Sequence, residues 1–144
     1  QRTINIHAGV SPYYRGTDCN FWALYDDNLH LVGTTIHLIS KGLDSGPMLY
    51  HAMSNIKTNP FEYTMSTIKS AFHSIAERIK DNSIFKINPV IQDKSKEIRY
   101  SKKNEFNEEI NTCNQDQFTI LAPSMAIEAL KPINEEYIKK FLSK

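Results

Sequence analysis

Ile4-Asn5-Ile6-His7-Ala8-Gly9-Val10-Ser11-Pro12-Tyr13-Tyr14-Arg15-Gly16 is the stretch on which the reading of this chain turns. Ile4 and Ile6 alternate with Thr3, Asn5 and His7. A period of two predicts a strand that carries Asn5 and His7 on one face. Ala8 to Gly16 reads as a loop built on Gly and Pro. Working outward, Thr17 is placed to cap a helix over about 18–27, with Cys19, Trp22 and Ala23 on its apolar side. Gly33-Thr34-Thr35-Ile36-His37-Leu38-Ile39 is rich in β-branched residues and predicts a strand buried on both faces. Lys41-Gly42-Leu43-Asp44-Ser45-Gly46-Pro47 predicts a turn, and Met48 to Met53 a returning strand. With the strands at Ile4 and Gly33 taken as parallel neighbours, helix 18–27 becomes a right-handed crossover and both following loops open on one rim.

A long helix is predicted over 60–81. Asn59 is its N-cap, Pro60 its first residue and Glu62 the third position of a capping box. Phe61, Met65, Ile68, Phe72, Ile75 and Ile79 recur at three- and four-residue steps, which predicts a core-facing stripe. Beyond it the pattern weakens. Lys94, Lys96, Arg99, Lys102 and Lys103 crowd a polar stretch that reads as a solvated edge. Phe118–Leu121 suggests a short strand, and Ser124–Leu130 and Asn134–Leu142 suggest short helices around Pro132. These signals divide the chain into 1–83, carrying the chemistry, and 84–144, a short extension.

The 144 residues suffice for one core. With 17 basic against 16 acidic side chains the net charge is +1, which weighs against a nucleic-acid or anionic-membrane partner. No apolar run has membrane-spanning length, so a cytoplasmic location is the expectation. Cys19 and Cys113 form no CxxC pair, and His30, His51 and His73 show no ligand spacing, so no metal is expected. Two reduced thiols are the simplest reading of the cysteines.

Asn5 and His7 at a strand end, with Asp44 in a Gly-bounded turn, offer an amide, an imidazole and a carboxylate. Acyl transfer to an amine uses that set. An N–H aimed at the developing oxyanion lowers the barrier, and a His near its ordinary pKa moves the proton while a carboxylate orients it. Spacing alone does not establish this, because N-x-H at a strand end and Asp between glycines are more often structural. His37 reads as a core or supporting histidine, and Arg15 equally as a loop brace or a contact to an anionic acceptor.

Asn5–Gly16, then Trp22-Ala23-Leu24, then Gly33–His37, then Gly42-Leu43-Asp44-Ser45-Gly46-Pro47-Met48-Leu49 follow one another in an order that resembles the 10-formyltetrahydrofolate-dependent formyltransferases. That family includes methionyl-tRNA, glycinamide ribonucleotide and sugar-nucleotide formyltransferases and a formyltetrahydrofolate hydrolase. The resemblance covers about the first fifty residues. It implies catalytic roles for Asn5, His7 and Asp44, and a folate pocket lined by Ile39, Ser40, Lys41, Gly42 and Leu43, mainly through backbone. It also implies an α/β, Rossmann-like formyltransferase fold that here lacks its N-terminal half and carries a short mixed C-terminal appendage.

The implied co-substrate is 10-formyltetrahydrofolate. The implied acceptor is a primary amine of a small molecule, such as an amino sugar nucleotide. Two alternatives stay open: hydrolysis of the formyl-folate, and a truncated non-catalytic module that acts through an open sheet edge. With the upstream half absent, an unpaired first strand predicts self-association or pairing with a missing N-terminal half.

Overall fold

The computed structural model describes residues 3–105. The expected strand at Phe118–Leu121, the helices at Ser124–Leu130 and Asn134–Leu142, and Cys113 lie outside the described residues. Strands β1 (Ile4–His7), β2 (Tyr14–Gly16), β3 (Thr34–Leu38), β4 (Met48–Ala52) and β5 (Arg99–Ser101) combine with helices α1 (Cys19–Tyr25) and α2 (Pro60–Lys80). No helix among the described residues is long and apolar enough to cross a membrane.

Three strands form one sheet in the order β1-β3-β4. The pairing of β1 with β3 is antiparallel, Ile4 opposite Leu38 and His7 opposite Thr35. This corrects the expected parallel pair and the right-handed crossover through helix 18–27. The seven residues of α1 are too short to traverse a sheet face, and together with β2 they pack as a separate group beside it. The helix itself is capped by Asp18 in the left-handed conformation, without a side-chain cap bond, where Thr17 was expected to cap it. The returning strand β4 pairs antiparallel with β3 as expected, with one irregularity between Ile36 and His37.

The antiparallel sheet is sharply two-sided. Ile4, Ile6, Ile36 and Leu38 face one way and join Leu49, Tyr50, Ala52, Ala71 and Ile84 in one apolar cluster. Asn5, His7, Thr35 and His37 necessarily face the other, because side chains alternate along a strand and opposed residues share a face.

Helix α2 covers the apolar side. Its start is as expected: the Asn59 side chain accepts from the Glu62 backbone N–H at 3.0 Å, with Pro60 at the first position. Its orientation is not. The buried residues are Tyr63, Thr67 and Ala71, while Phe61, Met65, Phe72 and Ile79 are exposed, Phe72 to 60%. At 100° per residue the predicted stripe lies about a third of a turn from the face that touches the sheet. That face is chosen by close approach and hydroxyl pairing. Ala71 leaves room for the sheet, the Thr34 and Thr67 hydroxyls lie 3.0 Å apart, and the Tyr50 and Ser74 hydroxyls also lie 3.0 Å apart. Ile68 and Ile75, on the flank of the stripe nearest the sheet, are partly buried.

The stretch after α2 folds back onto the rest. Val90 exchanges two backbone hydrogen bonds with Met48, of 2.7 and 2.8 Å, and β5 pairs parallel to β2. Arg99 binds Asp26 through Nε at 3.1 Å and Nη2 at 2.8 Å, with its guanidinium 4.3 Å from the centre of the Trp22 ring.

The orientation of α2 has a direct test. Ala71→Leu should overpack the helix–sheet contact and lower the unfolding free energy by about 1–3 kcal/mol. Phe72→Ala, one position along, should change it by no more than about 0.5 kcal/mol. Urea denaturation of the two variants decides, and the reverse ranking would mean that the stripe at Phe72 is the packed face.

Candidate active site

Strand β1 sets Asn5 directly opposite His37, and His7 opposite Thr35, on the polar face of the sheet. Asp44 belongs to the loop joining β3 to β4 and has a φ of 46°, in the left-handed region that non-glycine residues seldom occupy and that Asp tolerates better than most. The turn folds its carboxylate back over that face. Asp44 Oδ1 accepts from Asn5 Nδ2 at 3.1 Å, and Oδ2 lies 3.3 Å from His7 Nδ1. His37 Nε2 lies 3.6 Å from Oδ1. The three residues picked out in the sequence therefore meet, by a return loop over an antiparallel sheet and not by a shared rim of parallel strands. The cluster is largely closed to solvent, with the side chains of His7 at 6% and Asp44 at 12% exposure.

Hydrogen bonding sets the protonation states. His7 Nδ1 faces a carboxylate and Nε2 lies 3.2 Å from the Tyr14 carbonyl oxygen. Both partners only accept, so each ring nitrogen carries hydrogen. Burial by itself would lower the His7 pKa. The hydrogen bond to Asp44, the contact with the Cys19 sulfur and the attendant charges outweigh burial and raise it to about 10. Asp44 is held below its ordinary value, first by its hydrogen bond to His7, against the opposing effect of burial. The pair is thus imidazolium and carboxylate at neutral pH, where a histidine near its ordinary pKa was expected.

The two neighbouring histidines are different. His51 Nε2 donates to the Ser11 carbonyl oxygen at 2.8 Å; burial, reinforced by the charge on His7, lowers its pKa to about 4. His37 Nδ1 lies 2.9 Å from the Leu38 carbonyl oxygen, so its Nε2 is the acceptor for Asn5 Nδ2 at 3.1 Å. Asn5 consequently spends one N–H on Asp44 and the other on His37. The sequence reading placed His37 in the core or behind the site. It is both: buried, and bonded to Asn5. Only the antiparallel register reveals this.

Two glycines are required by close approach. A Cβ on Gly9 would stand 2.5 Å from Cys19 Cβ and 2.8 Å from His7 Nε2, and one on Gly46 would collide with the Leu38 carbonyl oxygen. Between the strands, Ile39, Ser40, Lys41, Gly42 and Leu43 form an exposed loop leading into Asp44. The Ser40 hydroxyl lies 3.0 Å from that of Ser45, and Arg15 Nη2 donates to the Leu43 carbonyl oxygen at 3.3 Å. Arg15 Nη1 also donates to Glu97 Oε2 at 2.7 Å, so its observed role is to brace the loop. Among the described residues no cluster of three His, Cys, Asp or Glu is arranged to hold a metal ion, and Cys19 is a buried free thiol.

A family model described as formyl transferase matches residues 1–79. The methionyl-tRNA formyltransferase of Trichodesmium erythraeum is 25% identical over 150 aligned residues, covering 93% of this chain and 44% of its own length. That of Thermodesulfovibrio yellowstonii is 36% identical over 63 residues, covering 44% of this chain and 20% of its own length. Among solved structures, the formyltransferase PseJ from Anoxybacillus kamchatkensis, in complex with UDP-4,6-dideoxy-4-formamido-L-AltNAc and tetrahydrofolate, is 28% identical with a TM-score of 0.55. The match covers 71% of this chain and 53% of that one. A likely sugar N-formyltransferase from Mycobacterium tuberculosis, 19% identical, has a TM-score of 0.61 over 79% of this chain and 53% of its own, a likeness of fold alone. The chain spans less than half the length of either curated relative. The described residues are part of the Rossmann-like α/β fold of these proteins, with mixed strand directions in the part seen here.

The ion pair predicts a pH profile. The His7 pKa rises from 6.5 in the unfolded chain to about 10 in the folded one, so its stabilising contribution is complete below pH 6.5 and is lost as pH rises to about 10. The stability advantage of wild type over Asp44→Asn should therefore shrink across that window. Urea denaturation at a series of pH values measures it, and an advantage that stays level from neutral pH to about 10 would show that His7 is not held as the cation.

Proposed function

The chain belongs to the formyl transferase family, and from that premise we propose that it carries the catalytic part of an enzyme that moves a formyl group from 10-formyltetrahydrofolate to a primary amine of a small molecule. What supports the reading is the convergence of Asn5 and His7 on the Asp44 carboxylate, with His7 held as the imidazolium. The formyl-folate supplies the group to be transferred. The loop Ile39–Leu43 suits its heterocycle: Ile39 and Leu43 leave apolar surface open next to Asp44.

In this reading the amine attacks the formyl carbon, a C–N bond forms, and negative charge gathers on the formyl oxygen. Asn5 releases one N–H from Asp44 to that oxygen, since bonds in an unliganded site commonly rearrange on binding. The amine must lose one proton and the departing folate nitrogen must gain one. His7, already charged, gives its proton to the leaving nitrogen. Asp44 receives the proton of the amine through water and returns it to His7. A histidine whose pKa lies far above neutral serves as acid, not as base.

An amino sugar nucleotide is the acceptor we favour. The 28%-identical PseJ structure holds such a product, and a net charge of +1 offers little general attraction for tRNA.

The test uses the full-length protein with 10-formyltetrahydrofolate and a panel of amino sugar nucleotides, product being read by mass spectrometry. Formylated sugar is expected. His7→Ala and Asp44→Asn should each lower kcat by roughly a hundredfold or more. Asn5→Ala should remove about 3–4 kcal/mol of transition-state stabilisation. Folate affinity should survive in all three. Near-full turnover in His7→Ala would sink the mechanism, and release of formate without any formylated amine would move the reaction to water.

A further inference from the structure

Asp44 can serve Asn5 and His7 only while an exposed loop keeps it in the left-handed conformation at φ 46°. No side-chain bond within 40–45 reaches the Asp44 backbone: the Ser40 hydroxyl meets that of Ser45 at 3.0 Å and the Gly42 carbonyl oxygen at 3.4 Å. A brace comes from beyond α2. Gln92 is buried, and its Nε2 donates to the Asp44 carbonyl oxygen at 2.7 Å and to the Gly46 carbonyl oxygen at 2.8 Å. Its two amide hydrogens thus bracket the Ser45–Gly46 peptide, one on the carbonyl before it and one on the carbonyl after it.

The reach of Gln92 is itself determined. Val90, two residues earlier, is tied to Met48 by backbone hydrogen bonds of 2.7 and 2.8 Å, in the strand that begins just after the loop. Two residues on, Gln92 is buried and its side chain reaches back to the carbonyls of residues 44 and 46. Gln92 lies outside residues 1–79, to which the family model extends.

We propose that Gln92 is a positioning residue for the Asp44 carboxylate, holding the loop in the conformation that keeps Asp44 on Asn5 and His7. This rests on the reading of Asp44 and His7 as the working pair, but its first readout needs no turnover. The groups facing His7 are Asp44, the Cys19 sulfur and the Tyr14 carbonyl, and the charge of His7 acts in turn on the neighbouring His51. Gln92 bonds instead to the Asp44 and Gly46 carbonyls, so its route to His7 runs through the loop that carries Asp44.

The variants are Gln92→Met, which keeps length and loses both donors, and Gln92→Glu, which keeps shape and turns a carboxylate toward two carbonyls. In full-length protein, the His7 ring resonances are followed by NMR against pH. With Asp44 released, the His7 midpoint should fall by about one pH unit or more, the size of effect an opposite charge at this range exerts. Asp44→Asn is the control and should move it the same way. In the transfer assay kcat should drop roughly tenfold to a hundredfold with little change in the KM for formyl-folate. A His7 midpoint equal to wild type in a folded Gln92 variant, whatever its melting temperature, overturns the proposal. So does loss of the fold in both variants, which would make Gln92 a structural brace only. If wild type itself shows no formyl transfer while the midpoint still falls in the variants, the transferase reading fails and the positioning role stands.

Discussion

The carboxylate of Asp44 is the constraint around which the site is organised. One group receives a hydrogen bond from Asn5, pairs with His7 and approaches His37, although it belongs to a loop and they belong to two strands. Its charge is what makes a buried imidazolium tolerable at His7, and the imidazolium in turn keeps the carboxylate ionised against its own burial. Remove either and the other is left as an uncompensated charge in a poorly solvated place. The close packing at Gly9 and Gly46 follows from the same demand, because backbone must come near His7 on one side and near Leu38 on the other for the loop to close.

The antiparallel sheet makes this arrangement possible by separating chemistry from packing. Its apolar side, Ile4, Ile6, Ile36 and Leu38, is taken up by the cluster under α2, so its polar side is free to hold titratable groups. Thr35 links the two halves of the story. Its hydroxyl donates to the Gly9 carbonyl oxygen and accepts from the Ser11 N–H, pinning the loop whose continuation presents the Tyr14 carbonyl to His7. Tyr14 is itself anchored, its hydroxyl donating to Asp26 at 3.1 Å while Asn28 donates to it at 2.8 Å. Arg99, from the far end of the described chain, closes that network on Asp26.

Much of the support for the site therefore comes from residues that carry no chemistry of their own. Glu97 and Arg99 hold Arg15 and Asp26, and Val90 anchors Gln92's segment to β4. The stretch after α2 reads in the sequence as a polar, weakly patterned tail, with no period to announce contacts made one residue at a time.

What the sequence by itself determined is local. Alternation at Ile4–His7, the β-branched run at Thr34–Ile36, and the Asn59–Pro60 start of α2 gave the elements, because period, capping and φ preference act over a few residues. The order of motifs from Asn5 to Leu49 was enough to point to the family and to name Asn5, His7 and Asp44 together. Tertiary structure decided the rest. Strand direction was not legible, because a strand's pattern of faces is the same whichever way its neighbour runs. The buried face of α2 was misread, because hydrophobicity ranks Phe61 and Phe72 above Tyr63, Thr67 and Ala71, whereas the sheet selects small residues and hydroxyls that fit close against it. The charge on His7 was hidden for the same kind of reason. A pKa depends on what is brought within a few ångströms, and the Asp44 carboxylate, thirty-seven residues away in the chain, arrives at 3.3 Å only when the loop has folded back.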